Sequence, residues 1–224
     1  MKKTLLYLTL FILPYILIGQ DQTDLIQQIR DNPDKVESAT LIQRIGGNTP
    51  EFELLNDLFK GLSRKVKKSA QGKFTKHYID ALKNTSEGKK APGITQFDLA
   101  GEPYSLQDLR GQYVLISFWA SWNTASRQEI PIMKEIYKEF KDNNFEILAV
   151  SFDSDFNVWN KYIQDNDLQW KHISDLQNMN NGAALSYGIK AIPQNILVDP
   201  EGIIIGRNIR GEDLRIQLQH ILKK

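Results

Sequence analysis

Apolar residues recur every three or four positions along the first third of the chain and then give way to strand-like runs separated by helical ones. From Thr23 to about Thr85 the period is helical. Leu55, Leu58, Phe59, Leu62 and Val66 fall at i, i+3, i+4, i+7 and i+11, and Phe74, Tyr78 and Leu82 repeat at four-residue steps. Gly46-Gly47-Asn48-Thr49-Pro50 breaks this region into two parts, with Pro50 suited to a first helical turn. A helix with one apolar stripe must bury it against a partner, so the pattern predicts a small helical appendage packed on itself or on the main domain.

Ser86-Glu87-Gly88-Lys89-Lys90-Ala91-Pro92-Gly93 reads as a linker, after which strand-like and helix-like segments alternate, as in an α/β sheet. Ile94 to Leu99, the turn Gly101-Glu102 and Tyr104-Ser105-Leu106 form a predicted hairpin, and Tyr113 to Trp119 is apolar enough for a central strand covered on both faces. Met133, Ile136, Tyr137 and Phe140 mark the next helix, Phe145 to Phe152 the next strand, and Phe156, Trp159 and Ile163 another helical stripe before a strand at Trp170 to Ser174. A helix near Asn178 to Tyr187, strands at Asn195 to Val198 and Ile203 to Arg207, and a last helix carrying Leu214, Leu218, Ile221 and Leu222 complete the order.

Lys2-Lys3, the apolar run from Leu5 to Ile18 and then Gly19-Gln20 have the layout of a secretory signal peptide. The expected organisation is therefore a signal peptide at 1–19, a helical region at 20–87 and the main domain at 88–224. The chain would be exported, periplasmic or secreted. Leu17 is a poor residue for a cleavage site, so anchoring through residues 5–18, and with it contact with a membrane, is the alternative. With 28 basic and 27 acidic residues there is no field to attract nucleic acid, and the one basic cluster, Arg64-Lys65-Val66-Lys67-Lys68, has the spacing of a solvated helix face. Cys is absent from all 224 residues, which excludes disulfides and a lipidated cysteine.

The chemistry-bearing stretch is Phe118-Trp119-Ala120-Ser121-Trp122-Asn123-Thr124-Ala125-Ser126-Arg127-Gln128-Glu129-Ile130-Pro131. It resembles the active site of the thioredoxin superfamily, most closely the exported TlpA-like and ResA-like branch, in which Phe-Trp-Ala-x-Trp runs into Cys-x-x-Cys, a basic residue, a Glu and a Pro. Asn123 and Ser126 stand where the resemblance places the cysteines. A second stretch, Tyr187-Gly188-Ile189-Lys190-Ala191-Ile192-Pro193-Gln194-Asn195-Ile196-Leu197-Val198-Asp199-Pro200-Glu201-Gly202, is similar to that family's cis-proline segment and closing hairpin. The resemblance implies a thioredoxin fold, a central mixed sheet flanked by helices, with the N-terminal helices as an appendage. Its activity would be thiol-disulfide exchange or thiol peroxidation. Exchange needs a thiolate to attack a disulfide and a second thiol to resolve the mixed disulfide, and a hydroxyl and an amide do neither. Ser117 also replaces the buried acid that many thioredoxins carry there.

Asn123, Thr124 and Ser126 have an ordinary reading as helix caps, and Ser126 with Glu129 spells a capping box. Glu129 then serves as favourable charge near a helix N-terminus. No Gly-x-Ser-x-Gly elbow surrounds Ser126, no Gly-rich phosphate loop occurs, and His77, His172 and His220 lack ligand spacing, so no nucleophile, cofactor or metal site is expected. What the resemblance leaves is a groove of Trp122, Asn123, Thr124, Ser126, Ile192 and Pro193, able to grip an extended peptide or envelope protein by main-chain hydrogen bonds. The expected function is a redox-inactive binding module. A diverged thiol-disulfide oxidoreductase or thiol peroxidase is the second reading, and a scaffold that interacts through its N-terminal helices the third.

Overall fold

The computed structural model describes residues 22–47 and 50–222, so the expected signal segment at 1–19 lies outside the described residues. The chain divides into two compact units between Ile79 and Asp80. In the first, a helix over residues 22–31 (α1) is followed by α2 (Val36–Gly46), α3 (Phe52–Gly61), α4 (Arg64–Lys68) and the start of α5 (Ala70–Asn84). Pro50 precedes α3, whose N-cap is Glu51, instead of occupying its first turn. The stripe Leu55, Leu58, Phe59, Leu62 and Val66 is buried throughout. It belongs to two helices, because Leu62 leaves α3 in extended backbone and Ser63 starts α4 by accepting from the Val66 amide.

On α5 the stripe differs in part from the expected one. Tyr78 and Leu82 are buried as expected, but Phe74 is 42% exposed, and Thr75 and Ile79 face inward beside Tyr78. Thr75 holds its buried place by donating its hydroxyl to the Ala39 carbonyl at 2.9 Å, which ties α5 to α2. Gly46 makes the approach possible, since a Cβ there would sit 2.2 Å from the Tyr78 hydroxyl.

The second unit is a seven-stranded sheet. In chain order the strands are β1 (Thr95–Phe97), β2 (Pro103–Ser105), β3 (Tyr113–Trp119), β4 (Phe145–Ser151), β5 (Lys171–Ser174), β6 (Gln194–Val198) and β7 (Ile204–Arg207), arranged β2-β1-β5-β4-β3-β6-β7. β3, β4 and β5 run parallel and the remaining pairings are antiparallel. The three helices α6 (Thr124–Phe140), α7 (Phe156–Asp165) and α9 (Gly211–Leu222) supply one core, and α8 (Gly182–Tyr187) the other. β3 serves both, as period-two geometry requires: Val114, Ile116 and Phe118 enter the α8 side, and Leu115 and Trp119 the α6 side.

The segment read as a linker belongs to this unit. The Gly88 amide donates to the Ile204 carbonyl at 2.8 Å, the Ala91 amide to Gly202 at 2.9 Å, and the Ile204 amide returns a bond to Lys89 at 2.8 Å. Its Gly and Pro content marked irregular backbone, which here follows the outer edge of β7. Among the described residues no helix is long and apolar enough to cross a membrane, and no group of three or more potential metal ligands gathers.

His172, on β5, is packed between the rings of Trp119 and Trp170, at 5.9 and 5.8 Å, with Nε2 3.3 Å from the Leu168 carbonyl. Burial pushes its pKa down to about 3, against a smaller opposing effect of the Leu168 hydrogen bond. The unfolded chain takes up this proton near pH 6.5 while the fold resists it, so stability is full above that pH and falls as pH drops toward 3. His172→Gln should flatten this acid loss, which accrues at roughly 1.4 kcal/mol per pH unit in the ideal case. Urea unfolding of both proteins at several pH values below neutrality measures it, and equal acid slopes would refute the assignment.

Candidate functional site

The site forms where β3 ends and α6 begins. Buried apolar strand residues carry the chain to Trp119, and the turn Ala120 to Asn123 redirects it. A single carboxylate holds that turn. Asp153, 2% exposed, accepts from the Ser121 amide at 3.0 Å and the Ser121 hydroxyl at 2.6 Å, and from the Ser151 hydroxyl at 2.7 Å. The Phe152 amide donates to the Trp119 carbonyl at 2.8 Å, so the ends of β3 and β4 are locked together. Three hydrogen bonds to a carboxylate offset much of its desolvation. Sequence reading missed Asp153 and Ser121, because no periodicity or motif connects positions 32 residues apart.

Asn123 is the N-cap of α6. It lies in extended backbone (φ −86°, ψ 117°), and its side-chain oxygen accepts from the Ser126 amide at 2.8 Å. The capping-box reading of Ser126 with Glu129 is corrected here. Ser126 sits three residues inside the helix, and its hydroxyl is buried without a hydrogen-bond partner among the described residues. The side chain of Thr124 accepts from Arg127 at 3.3 Å. Trp122 is 49% exposed, with its indole N–H 3.4 Å from the Phe152 carbonyl.

Opposite the helix start lies the turn before β6, where the Ile192–Pro193 peptide bond is cis. Ser126 and Pro193 line one narrow cavity beneath α6, together with Ser117, Trp119 and Glu129. The structure thus brings Ser126 to Pro193, while Trp122 and Thr124 remain on the surface. Ser126 and Ile192, 3% and 8% exposed, are buried, so they offer a groove their backbone more than their side chains. The Ile192 amide and carbonyl have no hydrogen-bond partner among the described residues.

Glu129 is placed differently from the simple dipole role read from its position. It pairs with Arg210 at 3.0 Å, and the Arg210 guanidinium also donates to the Pro193 carbonyl, so one side chain from the start of α9 bridges α6 and the proline turn. Arg210 is 81 residues distant in sequence and carried no signal there. Desolvation raises the Glu129 pKa above its ordinary 4.5, and Arg210 acts in the opposite direction.

This geometry can offer an extended ligand the free amide and carbonyl of Ile192, and an aromatic side chain the exposed Trp122. It offers no thiol, since the chain contains no cysteine. The AhpC/TSA family model matches residues 88–207. The chain is 31% identical over 155 residues, 69% of this chain and 84% of the other, to a thiol-disulfide oxidoreductase ResA from Bacillus thuringiensis subsp. konkukian. Among solved structures it is similar to the thioredoxin domain of a thiol-disulfide oxidoreductase from Bacteroides vulgatus, with a TM-score of 0.58 and 36% identity over 61% of this chain and 98% of that one. A thiol:disulfide interchange protein from a Bacteroides species aligns with a TM-score of 0.59 and 34% identity over 63% of this chain and 93% of that one. The chain belongs to the AhpC/TSA family, in the TlpA/ResA-like branch of the thioredoxin superfamily.

Two outcomes follow from this geometry. Asn123→Cys combined with Ser126→Cys should close an intramolecular disulfide across the first turn of α6, with the first thiol acidified by the helix terminus. Thiol titration against pH checks this, and two independent thiols of pKa near about 8.5 would contradict the geometry. For Glu129 the sign is that of a raised acid: its protonated form favours the fold below about pH 4.5, and that contribution is lost as pH rises through the higher folded value. The stability difference between the parent and Glu129→Gln, followed by urea unfolding from pH 4.5 toward neutrality, should therefore move in favour of the variant.

Proposed function

We propose that this protein is an exported, redox-inactive thioredoxin-like module that binds an extended peptide or protein segment at the junction of α6 and the Pro193 turn. The observation that carries the proposal is the separation of frame from reagent. The turn, the helix cap and the proline segment that position chemistry in relatives are all built here, yet no cysteine exists to use them. Binding needs only what remains: main-chain groups at Ile192, the unpaired first amides of α6 and the half-exposed face of Trp122. Export is supported by the signal-like layout of residues 1–19. Loss of exchange chemistry follows from the requirement for a thiolate nucleophile and a resolving thiol.

The test pairs an activity assay with binding. Purified protein should give no acceleration of insulin reduction by dithiothreitol and no peroxide turnover. A partner recovered from an envelope extract should bind Trp122→Ala at least about tenfold more weakly, the scale of one lost aromatic anchor. Lys68→Ala, an exposed change on α4, should leave its affinity unaltered. The reverse pattern, with Lys68→Ala impaired and Trp122→Ala normal, would move the binding surface to the N-terminal helices.

A further inference from the structure

A second concave site lies well along α6 from the helix start. Lys134 is ten residues beyond Thr124, about 15 Å along the axis, so this site is separate from the junction just described. Here the outer face of α6 meets the loop between α7 and β5 around a cavity of about 250 Å³. Its apolar wall is made by Trp170, 6% exposed, and Tyr137, whose rings meet edge to face at 5.7 Å and 79°. The Tyr137 hydroxyl lies 3.3 Å from a Glu146 carboxylate oxygen, and burial with that neighbouring charge keeps the phenol neutral by raising its pKa.

The rim is cationic. Lys134, Lys138 and Lys141 follow at i, i+4 and i+7, which places three ammonium groups on one side of the helix. The acids of α6 do not neutralise them. Glu135 and Glu139 are both drawn to Arg215 of α9, at 3.2 and 2.9 Å. Lys134 donates to the Asn166 carbonyl at 2.7 Å, which fixes it across the cavity from the helix. Neither Lys138 nor Lys141 pairs with a carboxylate among the described residues. The opposing charges are Asp167, whose carboxylate accepts from the Gln169 side chain at 3.2 and 3.3 Å, Glu135, which is held by Arg215, and Asp142, whose charge reaches Tyr137.

We propose that this cavity is a binding site for a small planar carboxylate, a single-ring aryl acid being the chemical type. Trp170 is covered by His172 and Tyr137, so a flat guest can lie against the half-buried Tyr137 ring and meet only the exposed margin of Trp170. A carboxylate at the open end then meets Lys138 and Lys141 without leaving water completely. The volume falls below the roughly 300 Å³ at which pockets for drug-sized ligands begin, which sets the guest at about one ring. A bare inorganic anion would satisfy the lysines and leave the aromatic wall unused. A neutral ring would do the reverse.

The experiment titrates the full chain with benzoate, with benzamide as the neutral match and with inorganic phosphate as the bare anion, following the Trp170 indole resonance by NMR. Benzoate should bind saturably and shift that resonance. Benzamide and phosphate should each bind at least about tenfold more weakly, a difference near 1.4 kcal/mol. The double variant Lys138→Ala, Lys141→Ala alters two exposed side chains and should weaken benzoate at least about tenfold, with an unchanged circular dichroism spectrum confirming the fold. Trp122→Ala should bind benzoate as the parent does, so failure here and failure of the groove are read separately. Equal binding of benzamide or phosphate, undiminished benzoate binding by the lysine variant, or no saturation at millimolar benzoate overturns the proposal.

Discussion

The position of the site depends on one buried carboxylate. Asp153 ties the turn after β3 to the residues after β4, and the start of α6 is reached through that junction. The exit direction of α6, the exposure of Trp122 and the approach of Ser126 to Pro193 are set by a turn with few apolar side chains to hold it otherwise. Apolar burial fixes the sheet itself, but it is non-directional. Hydrogen bonds that one carboxylate accepts from two chain segments supply the direction that burial lacks.

Local periodicity was enough to read the framework of the second unit. β3 spans Tyr113–Trp119 as its apolar run indicates, because a strand covered on both faces has little freedom in where it can end. The start of α6 was readable for a similar reason, since Asn at an N-cap has a mechanism that acts within one turn. The failures share the opposite character. Hydrophobicity alone places Phe74 in the buried stripe, yet Thr75 is the residue that meets α2. Ser126 passed for a cap because its spacing to Glu129 matched the motif, while the helix had already begun at Thr124. Asp153 and Arg210 act across long separations, where a single sequence holds no record of proximity.

The buried Ser126 hydroxyl is costly where a thiol would not be. A cysteine thiol is a weak hydrogen-bonding group and behaves in a core much as a small apolar side chain does. A hydroxyl in the same position is desolvated at a cost of about 1–3 kcal/mol when it finds no partner. The Ser126 hydroxyl is of that kind, and the Trp119 indole N–H that lines the same cavity is another. The region beneath α6 is thus less well satisfied than the ends of β3 and β4, and the Arg210 bridge from α9 to Glu129 and the Pro193 carbonyl closes it from outside.

The strip of backbone at residues 88–91 covers one edge of the sheet. β7 is the last strand of the sheet, and an open last strand offers its amides and carbonyls to any passing chain. Here the Ile204 amide and carbonyl are already taken by Lys89 and Gly88. Those few residues are therefore a selvedge, the woven border that keeps a fabric from joining or fraying. A fragment cut after Ala91 would keep every strand of the sheet and lose the border along β7.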